Sequence, residues 1–311
     1  MNREIVIGSR GSKLALWQSE WVRARLEEMG ARVRIEVIKT KGDVMRDVPL
    51  ATIGGQGAFT KEIEVALLDG RIDVAVHSLK DLPTVNPEGL SITATPERED
   101  ARDALVLRPD AGANGATLKS LPEGSVVGTS SLRRIAQLKH LRPDVRVKDL
   151  RGNVDTRLRK LDSGEYDALI LASAGLLRLG FGGRISEAIE TDVMLPAVSQ
   201  GSLGVQTRAG DSETNALVSR LDHPQTRAAV VAERSLLRKL GGGCQVPIAA
   251  HAVVLGRELR LDGLVASLDG SRVIRDTTLA ASSEAERAGD VLAARMLEQG
   301  AGELLSETPK I

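Results

Sequence analysis

Short apolar runs alternate with longer amphipathic segments along this chain, and that alternation confines it to α/β architecture. Ile5-Val6-Ile7 reads as a strand, followed by a Gly/Ser turn and a helix predicted over residues 12–29, with Trp17 and Trp21 one turn apart and Gly30 as its stop. The pattern continues with a strand over 34–38, a polar glycine-rich segment over 40–57 that is a candidate mobile loop, a helix over 60–69 and a buried strand over 72–76. Pro96-Glu97-Arg98-Glu99-Asp100 is a charged break and a candidate hinge. A second α/β unit follows, with strands over 125–128 and 168–171 and a helix starting near Ser131. The chain breaks again at Leu195-Pro196-Ala197, resumes with a strand over 204–208, and after Asp222-His223-Pro224 runs into a long helix over 226–240 that Gly241-Gly242-Gly243 ends. The remainder reads as a small separate α/β domain whose last helix opens on a capping box, Ser283 with Glu286. A length of 311 residues suits two or three domains.

Composition narrows the partners. Aromatic residues are only 2% of the chain, which argues against nucleic-acid binding through stacking platforms. The 42 basic residues balance the 42 acidic ones overall, yet between Ser130 and Lys160 ten Lys or Arg residues face only Asp144, Asp149 and Asp155. A basic patch in a neutral chain points to a localised anionic ligand rather than a polyanion. A single cysteine excludes an internal disulfide and fits a reducing compartment. The start lacks a signal-peptide apolar region and no apolar run approaches the ~18 residues that span a membrane, so a cytoplasmic protein with no membrane partner is expected.

Four features could carry chemistry. Cys244 sits between three glycines and Gln245-Val246-Pro247; the local sequence supports equally a small buried hydrophobe and a thiol on a loop that a ligand can approach. Val76-His77-Ser78-Leu79-Lys80-Asp81-Leu82-Pro83 crowds polar groups at the end of a buried strand, the edge where α/β proteins bind ligands, and Asp81 is the group suited to hold an N–H donor or a cationic intermediate. In Gly128-Thr129-Ser130-Ser131-Leu132-Arg133-Arg134 a strand gives way to hydroxyls and a helix start; capping explains the hydroxyls, but not the arginine pair, whose planar forks match carboxylates. Arg151 and Arg157 repeat the idea in Arg151-Gly152-Asn153-Val154-Asp155-Thr156-Arg157, as do Arg178 and Arg10. Any one of these is an ordinary surface charge; six arginines near successive strand-to-helix junctions describe a cleft for several carboxylates. His77, His140, His223 and His251 lack metal-ligand spacing, and residues 54–57 lack the Lys-Ser/Thr end of a P-loop, so neither metal nor nucleotide is expected.

Gly8-Ser9-Arg10, Thr40-Lys41-Gly42-Asp43, Val76-His77-Ser78-Leu79-Lys80-Asp81, the Gly128 to Arg134 turn, Arg151-Gly152-Asn153 and Gly243-Cys244-Gln245-Val246-Pro247-Ile248 together resemble the signatures of the hydroxymethylbilane synthase (porphobilinogen deaminase) family, in order and over nearly the whole chain. The resemblance implies two type II periplasmic-binding-protein-like lobes, residues 1–98 with 199–220 and residues 99–198, plus a small C-terminal α/β domain over 221–311. It implies a dipyrromethane cofactor joined to Cys244 by a thioether, and the condensation of four porphobilinogen molecules with loss of ammonia before water releases hydroxymethylbilane. By the family pattern Ser78, Lys80, Asp81, Thr129, Ser131, Arg133, Arg134, Arg151 and Gly152 hold the cofactor, and Arg10, Phe59, Arg157 and Arg178 the substrate. Asp81 is the catalytic group, the 40–57 loop a lid, and the protein a monomer. Two departures stand out: Ser199-Gln200-Gly201-Ser202 replaces the usual Gly-Gln-Gly-Ala, with an expected effect on hinge stiffness, and Gly241 replaces a more usual Glu, with an expected loosening of the cofactor loop. Two rivals fare worse. An anion receptor without chemistry would need export or a DNA-binding unit, and an acyl-transfer enzyme using Cys244 leaves the arginines unexplained.

Overall fold

The computed structural model describes residues 3–40, 60–109, 117–242 and 246–307. They form two compact units, Met1–Arg98 with Ser202–Arg227, and Glu99–Gly201 with Ala228–Ile311.

Strands β1 (Glu4–Ser9), β2 (Arg32–Val37), β3 (Val74–Ser78) and β4 (Leu90–Ala94) belong to the first unit; β5 (Asp103–Leu107), β6 (Val126–Gly128), β7 (Arg146–Lys148), β8 (Ala168–Ala172) and β9 (Glu187–Ile189) belong to the second. Strand β10 (Leu203–Arg208) returns to the first, and β11 (Ile248–Leu255), β12 (Glu258–Ala266) and β13 (Val273–Ala281) complete the second.

The first sheet has the order β2-β1-β3-β10-β4. Strands β2, β1 and β3 are parallel, and β10 runs antiparallel to both β3 and β4. The second sheet, β7-β6-β8-β5-β9, repeats that plan: β7, β6 and β8 are parallel, and β5 is antiparallel to β8 and β9. In each, the antiparallel strand begins where its parallel neighbour ends, with Leu203 opposite Ser78 and Asp103 opposite Ala172. That edge is where open α/β sheets bind ligands.

Local sequence explains the elements. The Lys13–Glu28 helix starts where Ser12 Oγ accepts the Ala15 N–H at 3.3 Å, and it buries Ala15, Gln18, Ser19, Val22 and Leu26, a helical spacing that lays one stripe on the sheet. There Val22 and Leu26 meet Ile5, Ile7, Val74, Val76 and Val205; each such side chain contributes about 1.5–3 kcal/mol on burial. Strand β5 is buried throughout, and its period of two divides it: Ala104 and Val106 pack with Leu158 and Tyr166, while Leu105 and Leu107 pack with Leu138. Asp103 shares the latter face, toward the Leu132–Leu141 helix.

The C-terminal sheet is antiparallel, in the order β11-β12-β13. The Pro224–Lys239 and Ala285–Glu298 helices supply its core through Leu236, Leu292 and Met296. The mixed α/β architecture with a separate C-terminal sheet-and-helix domain is the one the sequence predicts. One local expectation changes. The capping box at Ser283 does not form, because residues Ser282–Glu284 make a 3-10 turn and the helix begins at Ala285 without a side-chain cap. The expected loosening of the cofactor loop falls on residues 243–245, outside the described residues; at the helix end before it Gly241, at φ 68°, takes the left-handed position of a Schellman motif, with Gly241 N–H donating to Arg238 O at 3.0 Å and Gly242 N–H to Leu237 O at 3.0 Å. A glutamate there would be strained.

Candidate active site

In the first unit the ends of β1 and β3 carry the predicted residues. Arg10 follows β1 and is half-buried. After β3 the chain tightens into a 3-10 turn, Leu79–Asp81, anchored by buried Leu79, whose N–H donates to Ser202 O at 3.0 Å. Ser78 is fixed by buried Gln18, whose Nε2 donates to Ser78 Oγ at 2.8 Å. Lys80 is half-buried, while Asp81 is exposed and its side chain makes no hydrogen bond or ion pair with the described residues.

Behind this edge lies a buried polar set that the sequence alone did not reveal. His77 Nε2 and Gln206 Oε1 are 3.2 Å apart, and Gln206 Nε2 reaches Glu64 Oε1 at 3.5 Å. Burial pushes His77 down to about 4, so the imidazole is neutral, and burial also pushes the Glu64 carboxyl up. His77 and Gln206 lie on one face because Ala75 and His77 alternate with Val74 and Val76, and Gln206 alternates with Val205, and Glu64 meets them from the Lys61–Leu68 helix.

In the second unit the corresponding edge is charged. Arg133 and Arg134, in the first turn of the Leu132–Leu141 helix, are 4% and 6% exposed and share one fully buried carboxylate, Asp103. Arg133 Nη2 donates to Asp103 Oδ1 at 3.0 Å, and Arg134 donates to the same oxygen through Nε at 3.1 Å and Nη2 at 2.7 Å. Arg133 Nη1 takes Asp103 Oδ2 at 2.5 Å. The two guanidiniums hold the Asp103 carboxyl well below the usual carboxylate range despite its burial. Two cations and one anion leave one positive charge uncompensated within this set. Buried Arg133 Nε has no hydrogen-bond partner among the described residues.

The hydroxyl turn has a structural division of labour. Thr129 Oγ1 accepts the Ser131 N–H at 3.3 Å, whereas Ser131 makes no side-chain cap. Ser130 Oγ donates to Leu150 O at 2.7 Å and accepts from Leu150 N–H at 2.9 Å, tying this turn to the one that carries Arg151. Arg151 Nε donates to Asp149 Oδ2 at 2.8 Å, and Arg157 Nε to Gly152 O at 2.7 Å. Arg178 lies at the end of the Ser173–Arg178 helix, buried, with Nη2 on Gly201 O at 2.7 Å; burial pushes it down to about 10, so it stays charged at neutral pH.

The structure thus gathers Thr129, Ser131, Arg133, Arg134, Arg151, Gly152, Arg157 and Arg178 in the second unit, and Arg10, Ser78, Lys80 and Asp81 in the first. Phe59, Cys244 and the predicted lid beyond Thr40 lie outside the described residues. The sequence reading missed Asp103. Its signal was present: an aspartate heading the otherwise apolar Ala104-Leu105-Val106-Leu107 run is a buried charge in need of cations. Among the described residues no group of three or more His, Cys, Asp or Glu could hold a metal ion, and no helix is long and apolar enough to cross a membrane.

Two family models match the chain: "Porphobilinogen deaminase, dipyromethane cofactor binding domain" over residues 5–216 and "Porphobilinogen deaminase, C-terminal domain" over residues 227–298. The chain is 51% identical over 302 residues to the porphobilinogen deaminase of Syntrophotalea carbinolica, covering 96% of this chain and 94% of that one. It is 49% identical over 307 residues to that of Pelobacter propionicus, covering 98% and 97%. Among solved structures it is similar to the second substrate binding domain of a putative amino acid ABC transporter from Streptococcus pneumoniae, at 13% identity and a TM-score of 0.45, covering 77% of this chain and 95% of that one.

Proposed function

The chain belongs to the porphobilinogen deaminase family, and from that premise we propose how its own residues divide the work. The protein is a hydroxymethylbilane synthase, a transferase of porphyrin biosynthesis. It condenses four porphobilinogen molecules, losing ammonia with each, onto a dipyrromethane cofactor and releases the linear tetrapyrrole with water.

Each ring of primer and substrate brings an acetate and a propionate, so the site must hold carboxylates. The second unit fits such a group: its arginine pair keeps one uncompensated positive charge, and Arg133 Nε is a buried donor without an acceptor. That surplus charge is the observation that carries the reading. Arg133, Arg134, Arg151, Thr129, Ser131 and the Gly152 backbone would hold the primer, with Ser78 and Lys80 assisting from the first unit and Cys244 as the covalent tether. Bound there, the dipyrromethane supplies the pyrrole carbon onto which the chain grows.

Arg10, Arg157, Arg178 and Phe59 would hold the incoming substrate. Asp81 is the catalytic group. Its carboxylate, unpaired among the described residues, is available to a pyrrole N–H and to the positive charge that develops on the substrate as ammonia leaves, and it accepts and returns protons during coupling. The rigid turn behind it, set by buried Leu79 and Ser202 O, fixes its direction. The single cysteine supports a reducing compartment, and we assign the protein to the cytoplasm as a monomer.

Replacing Asp81 with alanine tests the assignment. Turnover is expected to fall by roughly 10²–10⁴-fold, while the primer mass is retained and stability changes by less than about 0.5 kcal/mol. Full turnover in Asp81→Ala would remove the central role.

A further inference from the structure

Gln200 is fully buried and placed by unusual backbone. Ser199 before it has φ 62°, the only positive φ at a non-glycine residue among those described, and Gly201 after it has φ 87°. A Cβ on Gly201 would sit 2.4 Å from Glu99 O, so only glycine fits. Ser199 in the left-handed region is a local strain that the surroundings must hold in place, whereas Gly201 adopts it freely. They direct the Gln200 side chain into the arginine cluster.

There Gln200 Nε2 donates to Asp103 Oδ1 and to Ala101 O, both at 2.8 Å, and Gln200 Oε1 accepts from Arg133 Nη2 at 3.1 Å and Arg134 Nη2 at 3.5 Å. The amide orientation follows from these partners, since the reverse would set oxygen against oxygen. Gln200 therefore satisfies both sides of the ion pair without adding charge. A carboxylate of the same shape could bond the arginines equally well but would bring the count to two cations and two anions. The other charged groups nearby are committed elsewhere or weakly placed: Arg102 pairs with Asp100 and Glu190, Arg178 takes Gly201 O, and Glu233 Oε2 accepts the Ser199 N–H.

We propose that Gln200 is a positioning residue that holds the Arg133–Asp103–Arg134 cluster at one surplus positive charge, and that this surplus sets how strongly the second unit takes up the carboxylates of the primer. The inference rests on the assignment of Arg133 and Arg134 to those carboxylates.

The test compares full-length Gln200→Glu and Gln200→Met proteins, produced without tetrapyrrole precursors, for the rate at which hydroxymethylbilane loads them, read by intact mass. Arg133 and Arg134 favour the ionised form of the introduced carboxyl, and burial and Asp103 oppose it, so loading is compared at about pH 8.5, where ionisation is most complete. There Gln200→Glu is expected to load about tenfold more slowly than Gln200→Met, which keeps the charge count and stays within about twofold of wild type. Gln200→Glu loading as fast as Gln200→Met overturns the proposal. An Arg134→Met protein that loads like wild type overturns the assignment beneath it; if Arg134→Met fails to load while Gln200→Glu matches Gln200→Met, only the inference about Gln200 falls.

Discussion

In the first sheet the antiparallel strand β10 brings Gln206 to a neutral histidine; in the second, β5 brings Asp103 to two arginines. The strand order is the same and the inserted strand occupies the same place. The difference lies in what is buried behind the ligand edge. The first unit keeps its buried set uncharged at neutral pH on the histidine side and leaves Asp81 exposed in front of it. The second buries full charges with an excess of one cation. One frame has thus been filled for two tasks: placing a group that handles protons and transient positive charge, and holding permanent negative charge. A buried cation tolerates only a fixed set of partners, whereas a proton-handling carboxylate needs access, so dividing the tasks between two sheets avoids a conflict.

The largest expected effect comes from breaking the charged side. Asp103→Asn removes the carboxylate shared by two buried guanidiniums and is expected to cost about 3–5 kcal/mol, read as a shift of the denaturation midpoint. The corresponding change in the first unit, Gln206→Leu, removes neutral hydrogen bonds and is expected to cost about 1–3 kcal/mol. Equal costs would mean that charge is not what distinguishes the two sides.

Acid sharpens the comparison in the opposite direction. His77 is lowered from 6.5 to about 4 by burial. Between those values the unfolded chain takes up a proton that the folded one refuses, so stability falls as pH drops through that window and the contribution is fully lost below it. Asp103, held below the usual carboxylate range, loses its contribution only in stronger acid. The first unit is therefore expected to weaken by about 2 kcal/mol between about pH 7 and about pH 5. Hydrogen exchange should report this around β3 and β10, and His77→Gln should abolish it. Earlier loosening of the second unit would contradict the assignment.

Much of this was legible in the sequence, for identifiable reasons. Ser12 and Gly30 bracket a helix because capping and a left-handed stop are local chemistry, and the arginines near strand ends follow from alternation alone. The partners of those arginines were not legible. Asp103 precedes Arg133 by thirty residues and Gln200 follows it by sixty-seven, and their meeting depends on β5 being inserted antiparallel beside β8. Single-sequence periodicity identifies strands and leaves their neighbours open. Ser283 failed as a cap because the chain had already tightened into a 3-10 turn there.

The smallest effect concerns Ser199. Its backbone is left-handed and its buried Oγ is unpartnered among the described residues, a position that glycine would fill without either cost. Ser199→Gly is expected to raise stability by about 1 kcal/mol, the relief of a left-handed residue less the added freedom of the unfolded chain. A loss of stability in calorimetry would show that the hydroxyl matters more than the strain.

The most direct measurement is the intact mass of the purified protein beside that of a Cys244→Ser version. The account predicts extra mass equal to two linked porphobilinogen-derived rings in the first and none in the second, even after incubation with hydroxymethylbilane. An adduct that survives the loss of the cysteine, or a wild-type protein that remains unmodified after the same incubation, would contradict it.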